Sequence, residues 1–222
     1  MKEGFRNVFD RIAAAAEESG RRAEDITVIA ATKTRTPEEL NECKMPGLIF
    51  GENRVQEFLE KFPSVPGVTW HFIGRLQTNK VKYIIDKVEL IHSVDRSELA
   101  REIDKRAASI GKVQDVLLEI NLGDEESKGG ASRGEFMRLA EQVCGMKNIA
   151  VKGVMTVMPL IPITFDGYAF MTELFEECKK DFPGAEWKYI SVGMSDDFEK
   201  AIRAGSNMVR IGRAFFGERK YK

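Results

Sequence analysis

Apolar positions along this chain follow two spacings, one typical of amphipathic helices and the other typical of buried strands. Near the start, Phe5, Val8, Phe9 and Ile12 recur at helical spacing, and Gly20 helps to end that helix. Short apolar runs rich in β-branched residues then predict strands. Eight such strands are predicted, at 26–33, 48–51, 69–74, 89–94, 115–122, 149–158, 188–193 and 208–217.

Amphipathic segments fill the seven intervals between these strands. Pro37 is a favoured first-turn residue after Thr36, and Ser132 with Glu135 three residues later forms a capping box. Helices are predicted from about residue 37, over 54–62, through Val81, Ile84 and Ile85, along Leu99, Ile103 and Ala107, along Phe136, Leu139, Ala140 and Val143, along Met171, Leu174, Phe175 and Cys178, and over 195–204, closed by Gly205.

Strands separated by helices pair in parallel through right-handed crossovers, and eight such units close into a (β/α)₈ TIM barrel. The N-terminal helix can cover the barrel where an eighth crossover helix would otherwise lie. An open doubly wound sheet is the alternative, but it should carry a dinucleotide-binding fingerprint after its first strand, and none is present. Residues 1–222 are therefore predicted to form one α/β barrel domain.

Composition and charge mainly exclude classes of protein and kinds of site. The 222 residues carry 34 basic and 35 acidic side chains, a net charge of −1, and no stretch is basic enough to indicate nucleic-acid binding. Cys43, Cys144 and Cys178 lack the spacing of a metal site, which indicates unpaired thiols in a reducing cytoplasm. The N-terminus has no signal-peptide pattern, and no apolar run could span a bilayer. With only His71 and His92, a metal centre or a Ser/His/Asp triad is poorly supported.

Active sites of such barrels lie at the C-terminal ends of the strands, where Lys33 ends the first apolar run. A partly desolvated lysine has a lowered pKa, which frees its amine to form a Schiff base with a carbonyl compound. The alternative is a lysine that extends to solvent or pairs with an acid.

The loops after strands 7 and 8 are where barrels commonly bind phosphate. Gly193 lets the backbone approach an anion, Ser195 offers a hydroxyl near a helix start, and Gly212 with the N–H of residue 213 can close the cradle. Alternatively, Ser195 is an ordinary N-cap, with Asp196 and Asp197 complementing the helix dipole.

Two further polar residues point to the same end of the barrel. Arg210 lies within a short apolar strand, where a charge is costly unless it is paired. It faces either a bound ligand, such as the ring nitrogen of a pyridine cofactor, or a carboxylate in a buried salt bridge. Asn53 either points over the barrel mouth or caps the next helix, with Gln56 three residues on.

A phosphorylated aldehyde would satisfy a strand-1 lysine, a phosphate cradle and a strand-8 arginine together. Pyridoxal 5′-phosphate (PLP) is such a compound. Its aldehyde would meet Lys33, its phosphate Ser195 and Gly212, and its pyridine nitrogen Arg210.

The chain resembles the pyridoxal phosphate homeostasis proteins, small single-domain relatives of the alanine racemase N-terminal barrel (fold type III among PLP proteins). The motifs "AATKT", "FGENRVQE", "HFIGRLQTNK", "IHSVD", "SVGMSDDFEKAI" and "VRIGRAFFGER" match in order over nearly the whole chain. The resemblance implies that Lys33 carries PLP as an aldimine and that Met155 lies near the ligand. It also implies that the ring and phosphate pocket is lined by Asn53, Ser191, Gly193, Ser195, Arg210, Ile211 and Gly212. Arg213 departs from the pattern, since many relatives carry threonine there.

Three functions follow from these expectations. The resemblance favours a cytoplasmic, monomeric, non-catalytic protein that holds PLP and buffers it or delivers it to apoenzymes. The second is a weak fold-type III enzyme such as an amino-acid racemase. Such a racemase needs a tyrosine on the opposite cofactor face, and none of Tyr83, Tyr168, Tyr189 and Tyr221 is placed there by the sequence. The third, a Schiff-base aldolase acting on a phosphorylated sugar, usually carries its lysine on a later strand.

Overall fold

Eight parallel strands form a closed barrel in the computed structural model, which describes residues 3–123, 125, 129–159 and 165–218. Each strand pairs with its neighbour in chain order, and the last returns to the first, with Thr27 opposite Met208 and Ala30 opposite Ile211. The predicted (β/α)₈ barrel is confirmed. The strands are β1 Thr27–Ala31, β2 Ile49–Glu52, β3 Thr69–Phe72, β4 Leu90–Val94, β5 Gln114–Glu119, β6 Ile149–Met155, β7 Tyr189–Ser191 and β8 Met208–Ile211.

Helices surround this barrel. The α-helices are α1 Glu3–Glu18, α2 Pro37–Cys43, α3 Val55–Lys61, α4 Ser97–Ser109, α5 Arg133–Cys144, α6 Gly167–Asp181, α7 Phe198–Arg203 and α8 Arg213–Phe216. Short 3₁₀ helices cover Ala23–Asp25, Phe62–Ser64 and Thr78–Tyr83. The third crossover is thus a 3₁₀ helix. The sequence pattern could not show this, because the three-residue spacing of Val81 and Ile84 fits either type of helix.

The ends of several elements differ from their predicted positions. The eighth strand stops at Ile211, and the run that follows it forms α8, where Phe215 is buried. Ser132 precedes α5 as predicted, but its hydroxyl donates to the Glu135 carboxylate (2.9 Å) and caps no backbone N–H. The helix predicted over 195–204 begins only at Phe198.

The N-terminal helix packs on the outside of the barrel against α7 and α8. Phe5 stacks on Phe215 with ring centroids 4.3 Å apart. Arg11 forms a two-point ion pair with Glu199, at 2.9 and 2.7 Å. Helix α1 thus covers the side of the barrel where an eighth crossover helix would otherwise lie, which is the position predicted from the sequence.

Two apolar layers lie on the two sides of the barrel wall. The inner layer consists of Ile29, Leu90, Leu117, Met155 and Met208. Because side chains alternate along a strand, positions two and four residues beyond this layer also face inward. Lys33 lies four residues after Ile29, and Arg210 lies two residues after Met208. The alternation therefore directs both toward the C-terminal mouth of the barrel.

Gly153 on β6 cannot accept a side chain. Its φ is +149°, and a β-carbon there would lie 1.9 Å from the carbonyl oxygen of Tyr189 on the neighbouring strand. We expect Gly153→Ala to lower the free energy of unfolding by more than about 2 kcal/mol, measured by denaturant titration.

Gly134→Ala is the matched control, because no atom lies within 4 Å of a β-carbon at this position in α5. It should change stability by less than about 1 kcal/mol and in the stabilising direction. Equal effects of the two substitutions would contradict the steric argument.

Candidate functional site

A cavity of about 600 Å³ opens at the C-terminal mouth of the barrel. This volume lies within the range of small-molecule sites. Five residues singled out from the sequence line the cavity together: Lys33, Asn53, Ser195, Arg210 and Gly212. Residues that follow β1, β2, β7 and β8 thus converge at one place.

Lys33 lies two residues beyond the end of β1, in the turn that leads to α2. It is partly buried. The preceding residue, Thr32, is fully buried and continues the β1–β2 pairing, because its N–H donates to the carbonyl of Gly51 (2.9 Å). The lysine is therefore attached to the barrel wall through ordered backbone.

Arg210 is held by oxygen atoms that carry no full charge. One guanidinium nitrogen donates to both the carbonyl and the hydroxyl of Ser191 (2.7 Å each), and another donates to the carbonyl of Thr156 (2.8 Å). No carboxylate of the described residues lies within ion-pair distance, so the salt-bridge alternative is not supported. Burial lowers the pKa of Arg210 to about 10, with Glu119 and Asp197 opposing the shift, so Arg210 stays protonated at neutral pH.

Ser191 lies beneath the cavity and connects Arg210 to the two histidines. His92 Nδ1 is 3.4 Å from the Ser191 hydroxyl, and His92 Nε2 is 3.0 Å from His71 Nδ1. Burial lowers the pKa of His71 to about 3 and that of His92 well below its usual value, so both rings are neutral. Arg210, the Ser191 hydroxyl and the two neutral imidazole rings thus lie in one continuous chain of buried polar contacts beneath the cavity.

Ser195 does not cap α7, whose N-cap is Asp197. Its hydroxyl oxygen instead accepts from the N–H groups of Gly212 and Ala214, both at 3.2 Å. Two backbone donors therefore point at an oxygen in the cavity wall. An anion placed there would meet the same two donors together with the hydroxyl.

The two acids next to Ser195 are already engaged. Asp196 forms an ion pair with Arg213. Asp197 accepts from the N–H of Met194 (2.7 Å) and from the hydroxyl of Tyr168 (2.8 Å). Their repulsion of a bound anion is thereby reduced, since one is neutralised and the other is held by two donors.

Asn53 points into the cavity region and is not the cap of α3. That cap is Arg54, so the capping alternative is wrong. The N–H of Asn53 donates to the Glu52 carboxylate (2.7 Å), which orders its backbone. Its side-chain oxygen Oδ1 is buried and has no hydrogen-bond partner. A ligand donor would satisfy this oxygen.

Four of the expected pocket residues do not line the cavity: Ser191, which lies beneath it, and Met155, Gly193 and Ile211. Met155 belongs to the inner apolar layer below the cavity, and the side chain of Ile211 lies in the core outside the strands. Gly193 has a φ of +104°, and a β-carbon there would lie 2.8 Å from the Ala201 side chain, so it serves close packing under α7.

Sequence reasoning assigned no individual role to seven residues of the cavity lining: Ala31, Arg35, Ile73, Val157, Met194, Gly217 and Glu218. Arg35 is buried and donates to the carbonyl of Gly217 (2.7 Å). Residues 33 and 34 form a turn, so no strand alternation reaches Arg35, and the sequence pattern carries no signal for it.

The described tyrosines lie outside the cavity lining. Tyr83 is exposed on a 3₁₀ helix, Tyr168 is bonded to Asp197, and Tyr189 packs against the inner apolar layer. Burial, followed by the Asp197 bond, raises the pKa of Tyr168. Tyr221 lies outside the described residues. None of the three described hydroxyls is placed to exchange a proton with a ligand in the cavity.

Glu119, at the end of β5, was not identified from the sequence. It is 6% exposed, and burial raises its pKa to about 7. Asp95 adds to the rise, while Arg210 and Arg75 oppose it. The carboxyl group is thus partly protonated at neutral pH.

Several other features of the described residues bear on function. No group of three His, Cys, Asp or Glu side chains among them could hold a metal ion. No described helix combines the length and apolar character needed to cross a membrane. Cys43, Cys144 and Cys178 form no disulfide.

Sequence comparison identifies relatives over the full chain. A family model described as alanine racemase, N-terminal domain, matches residues 48–220. A pyridoxal phosphate homeostasis protein of Aquifex aeolicus is 45% identical over 225 residues, covering 99% of this chain and 98% of that protein. A protein of the same name from Escherichia coli is 38% identical over 226 residues, covering 96% and 94%.

Solved structures agree in fold. PipY of Synechococcus elongatus, solved with PLP bound, superposes with a TM-score of 0.79 at 27% identity, covering 93% of this chain and all of that chain (100%). An alanine racemase of Clostridium difficile superposes with a TM-score of 0.70 at 16% identity, covering 96% of this chain and 57% of that chain. The racemase match shows the barrel fold alone.

The raised pKa of Glu119 predicts a pH-dependent stability. In the unfolded chain this carboxyl titrates near 4.5, so between pH 4.5 and 7 the native state holds more protons than the unfolded state. The free energy of unfolding contributed by this group therefore falls as pH rises through that window. Glu119→Gln, which stays neutral, should be more stable than the parent at pH 8 by about 1–3 kcal/mol, with a smaller difference at pH 5.

Denaturant titrations at both pH values measure this difference. Glu141→Gln, on the exposed face of α5, is the control and should show no such pH dependence. A difference for Glu119→Gln that is the same at pH 5 and pH 8 would count against the raised pKa.

Proposed function

This chain belongs to the alanine racemase N-terminal domain family, within the pyridoxal phosphate homeostasis proteins, and from this premise we propose that it binds PLP at the barrel mouth. The amine of Lys33 and the guanidinium of Arg210 line one cavity, together with Ser195, the acceptor of two converging backbone N–H groups. That combination is the observation that carries the proposal. An amine, a cation and an anion cradle in one cavity match a phosphorylated pyridine aldehyde.

The residues of the cavity fit this cofactor in several respects. The N–H groups of Gly212 and Ala214 already point at an oxygen, the Ser195 hydroxyl, where phosphate oxygens would lie. Asn53 Oδ1 is a buried acceptor without a partner, and it suits a hydroxyl donor on the ring. Ile73 and Val157 supply apolar wall for the ring. The cavity volume of about 600 Å³ is ample for a ligand of this size.

Each side chain then has a defined task. When bound, PLP would supply an aldehyde that can condense with a primary amine, forming a C=N bond with loss of one water. Lys33 presents that amine at the cavity wall. Arg210 stays protonated and can donate hydrogen bonds, so it would hold a ring nitrogen facing it in the unprotonated form. An unprotonated ring nitrogen weakens the electron sink that carbanion chemistry uses.

The physiological role that follows is holding and buffering PLP. A racemase needs proton transfer on both cofactor faces, and no described tyrosine reaches the cavity. We therefore favour a non-catalytic, monomeric carrier in the cytoplasm that releases PLP to apoenzymes. A weak racemase is the alternative, and turnover of an L-amino acid to its D-enantiomer by the loaded protein would favour it.

The first experiment is borohydride reduction of the purified protein mixed with PLP, followed by peptide mapping. Lys33 should carry the label, and Lys33→Ala should abolish it because no other lysine lines the described part of the cavity. Lys147→Ala, which removes an exposed lysine, should label as the parent does. A stoichiometric label that survives in Lys33→Ala would refute the assignment.

A second experiment tests the phosphate cradle. Ser195→Ala removes one donor to a bound phosphate, and a hydrogen bond to a charged group is worth about ten-fold in affinity. The preference for PLP over pyridoxal, which lacks the phosphate, should therefore fall roughly ten-fold, as measured by absorbance titration. Ser64→Ala, at an exposed serine, should leave the preference unchanged. A preference that stays constant in Ser195→Ala would exclude the cradle as the phosphate site.

A further inference from the structure

Three charged side chains lie together behind the turn that carries Lys33: Glu52 at the end of β2, and Glu57 and Lys61 on α3. We call them the Lys61 cluster. We propose that the Lys61 cluster is a positioning device, which fixes the backbone on both sides of Lys33 and so directs its amine at the cofactor aldehyde. The inference rests on the function proposed above and adds residues that lie outside the cavity lining.

The cluster binds the peptide unit that precedes Lys33. Lys61 Nζ donates to the carbonyl of Thr32 (2.9 Å) and to Glu52 Oε1 (2.5 Å). The hydroxyl of Thr32 donates to the same Glu52 oxygen (2.9 Å). The main chain and the side chain of Thr32 are thus both held by charged partners.

The cluster also binds the residue that follows Lys33. Glu57 Oε2 accepts from the N–H of Thr34 (2.9 Å) and from Lys61 Nζ (3.1 Å). Thr34 has a φ of +65°, and it is the only non-glycine residue with positive φ in the described part of the chain. This left-handed conformation is unfavourable for a β-branched residue. The bond to Glu57 helps to hold it, and the sharp turn sets the direction of Lys33.

One member of the cluster reaches a second cavity residue. Glu52 Oε2 accepts from the N–H of Asn53 (2.7 Å). Its two oxygens therefore hold Thr32 and Asn53, which flank the cavity on adjacent strands. Glu52, a single buried carboxylate, thus fixes the distance between the turn that carries Lys33 and Asn53, the residue whose Oδ1 has no partner.

The cost of burying these charges indicates a role beyond stability. Glu52 is 0% exposed and Lys61 is 5% exposed. Apolar residues often stabilise a fold as well as a buried ion pair does, so such a pair is weak evidence for stability. Burial raises the pKa of Glu57, but the bonds from Thr34 and Lys61 lower it further, so the pKa ends below its usual value. Glu57 thus keeps its charge, and all three side chains of the cluster are directed to the residues next to Lys33.

The test compares PLP with pyridoxine 5′-phosphate, which has the same ring and phosphate but an alcohol in place of the aldehyde. Only PLP binding depends on where the Lys33 amine points. Glu57→Ala should weaken PLP binding roughly ten-fold and leave pyridoxine 5′-phosphate binding unchanged. Glu57→Gln keeps an oxygen acceptor for Thr34 and should lose less. Glu60→Ala, an exposed acid on the same helix, should change neither affinity.

Dissociation constants from absorbance titration, with competition for the alcohol, give the ratio of the two affinities. Circular dichroism checks that each variant is folded, and Glu57→Gln serves if Glu57→Ala does not fold. An equal loss of affinity for both ligands would show that the cluster has only a structural role, and it would overturn the proposal. An unchanged ratio of the two affinities would also overturn it. In either case, borohydride labelling of Lys33 in the parent would leave the proposed function standing. An unlabelled Lys33 in the parent would overturn both.

Discussion

The site depends on one geometric constraint, the alternation of side chains along parallel strands that close into a barrel. Closure brings the inward-facing positions of all eight strands to a common axis. Below the mouth these positions are filled by apolar residues such as Ile29 and Met208. One or two steps further along the same alternation come Lys33 and Arg210. Residues about 180 positions apart in sequence therefore meet at one end of the barrel.

Placing a cation in this interior requires compensation that leaves it available to a ligand. A carboxylate beside Arg210 would stabilise the charge but would also occupy the donors that a ligand needs. The structure uses the carbonyls of Ser191 and Thr156 and the Ser191 hydroxyl, which also contacts neutral His92. Lys61 is likewise paired outside the cavity, because its carboxylate partners lie behind the Lys33 turn. The partners of Arg210 and of Lys61 therefore leave the cavity open to a ligand.

The barrel could be predicted because its strands are short runs dominated by apolar residues and the intervals between them have helical spacing. Lys33 and Arg210 could be found because a charge within such a run is costly. Features set by distant partners could not be found in this way. Residues 214–216 are apolar enough to be predicted as the end of a strand. In the structure they belong to helix α8, where Phe215 stacks on Phe5. Lys61 follows a helical pattern like any solvated lysine, and its burial depends on Glu52 from another element.

At the proposed phosphate end of the cavity, the converging hydrogen-bond donors belong to the backbone. The guanidinium of Arg213 pairs with Asp196, and both residues line the cavity. Those donors are the backbone N–H groups of Gly212 and Ala214, on either side of it. A backbone cradle is independent of the side chain at position 213, provided that the chain turns into α8. The turn is stabilised by the packing of Phe215 on Phe5, so the N-terminal helix contributes to the cradle from outside the barrel.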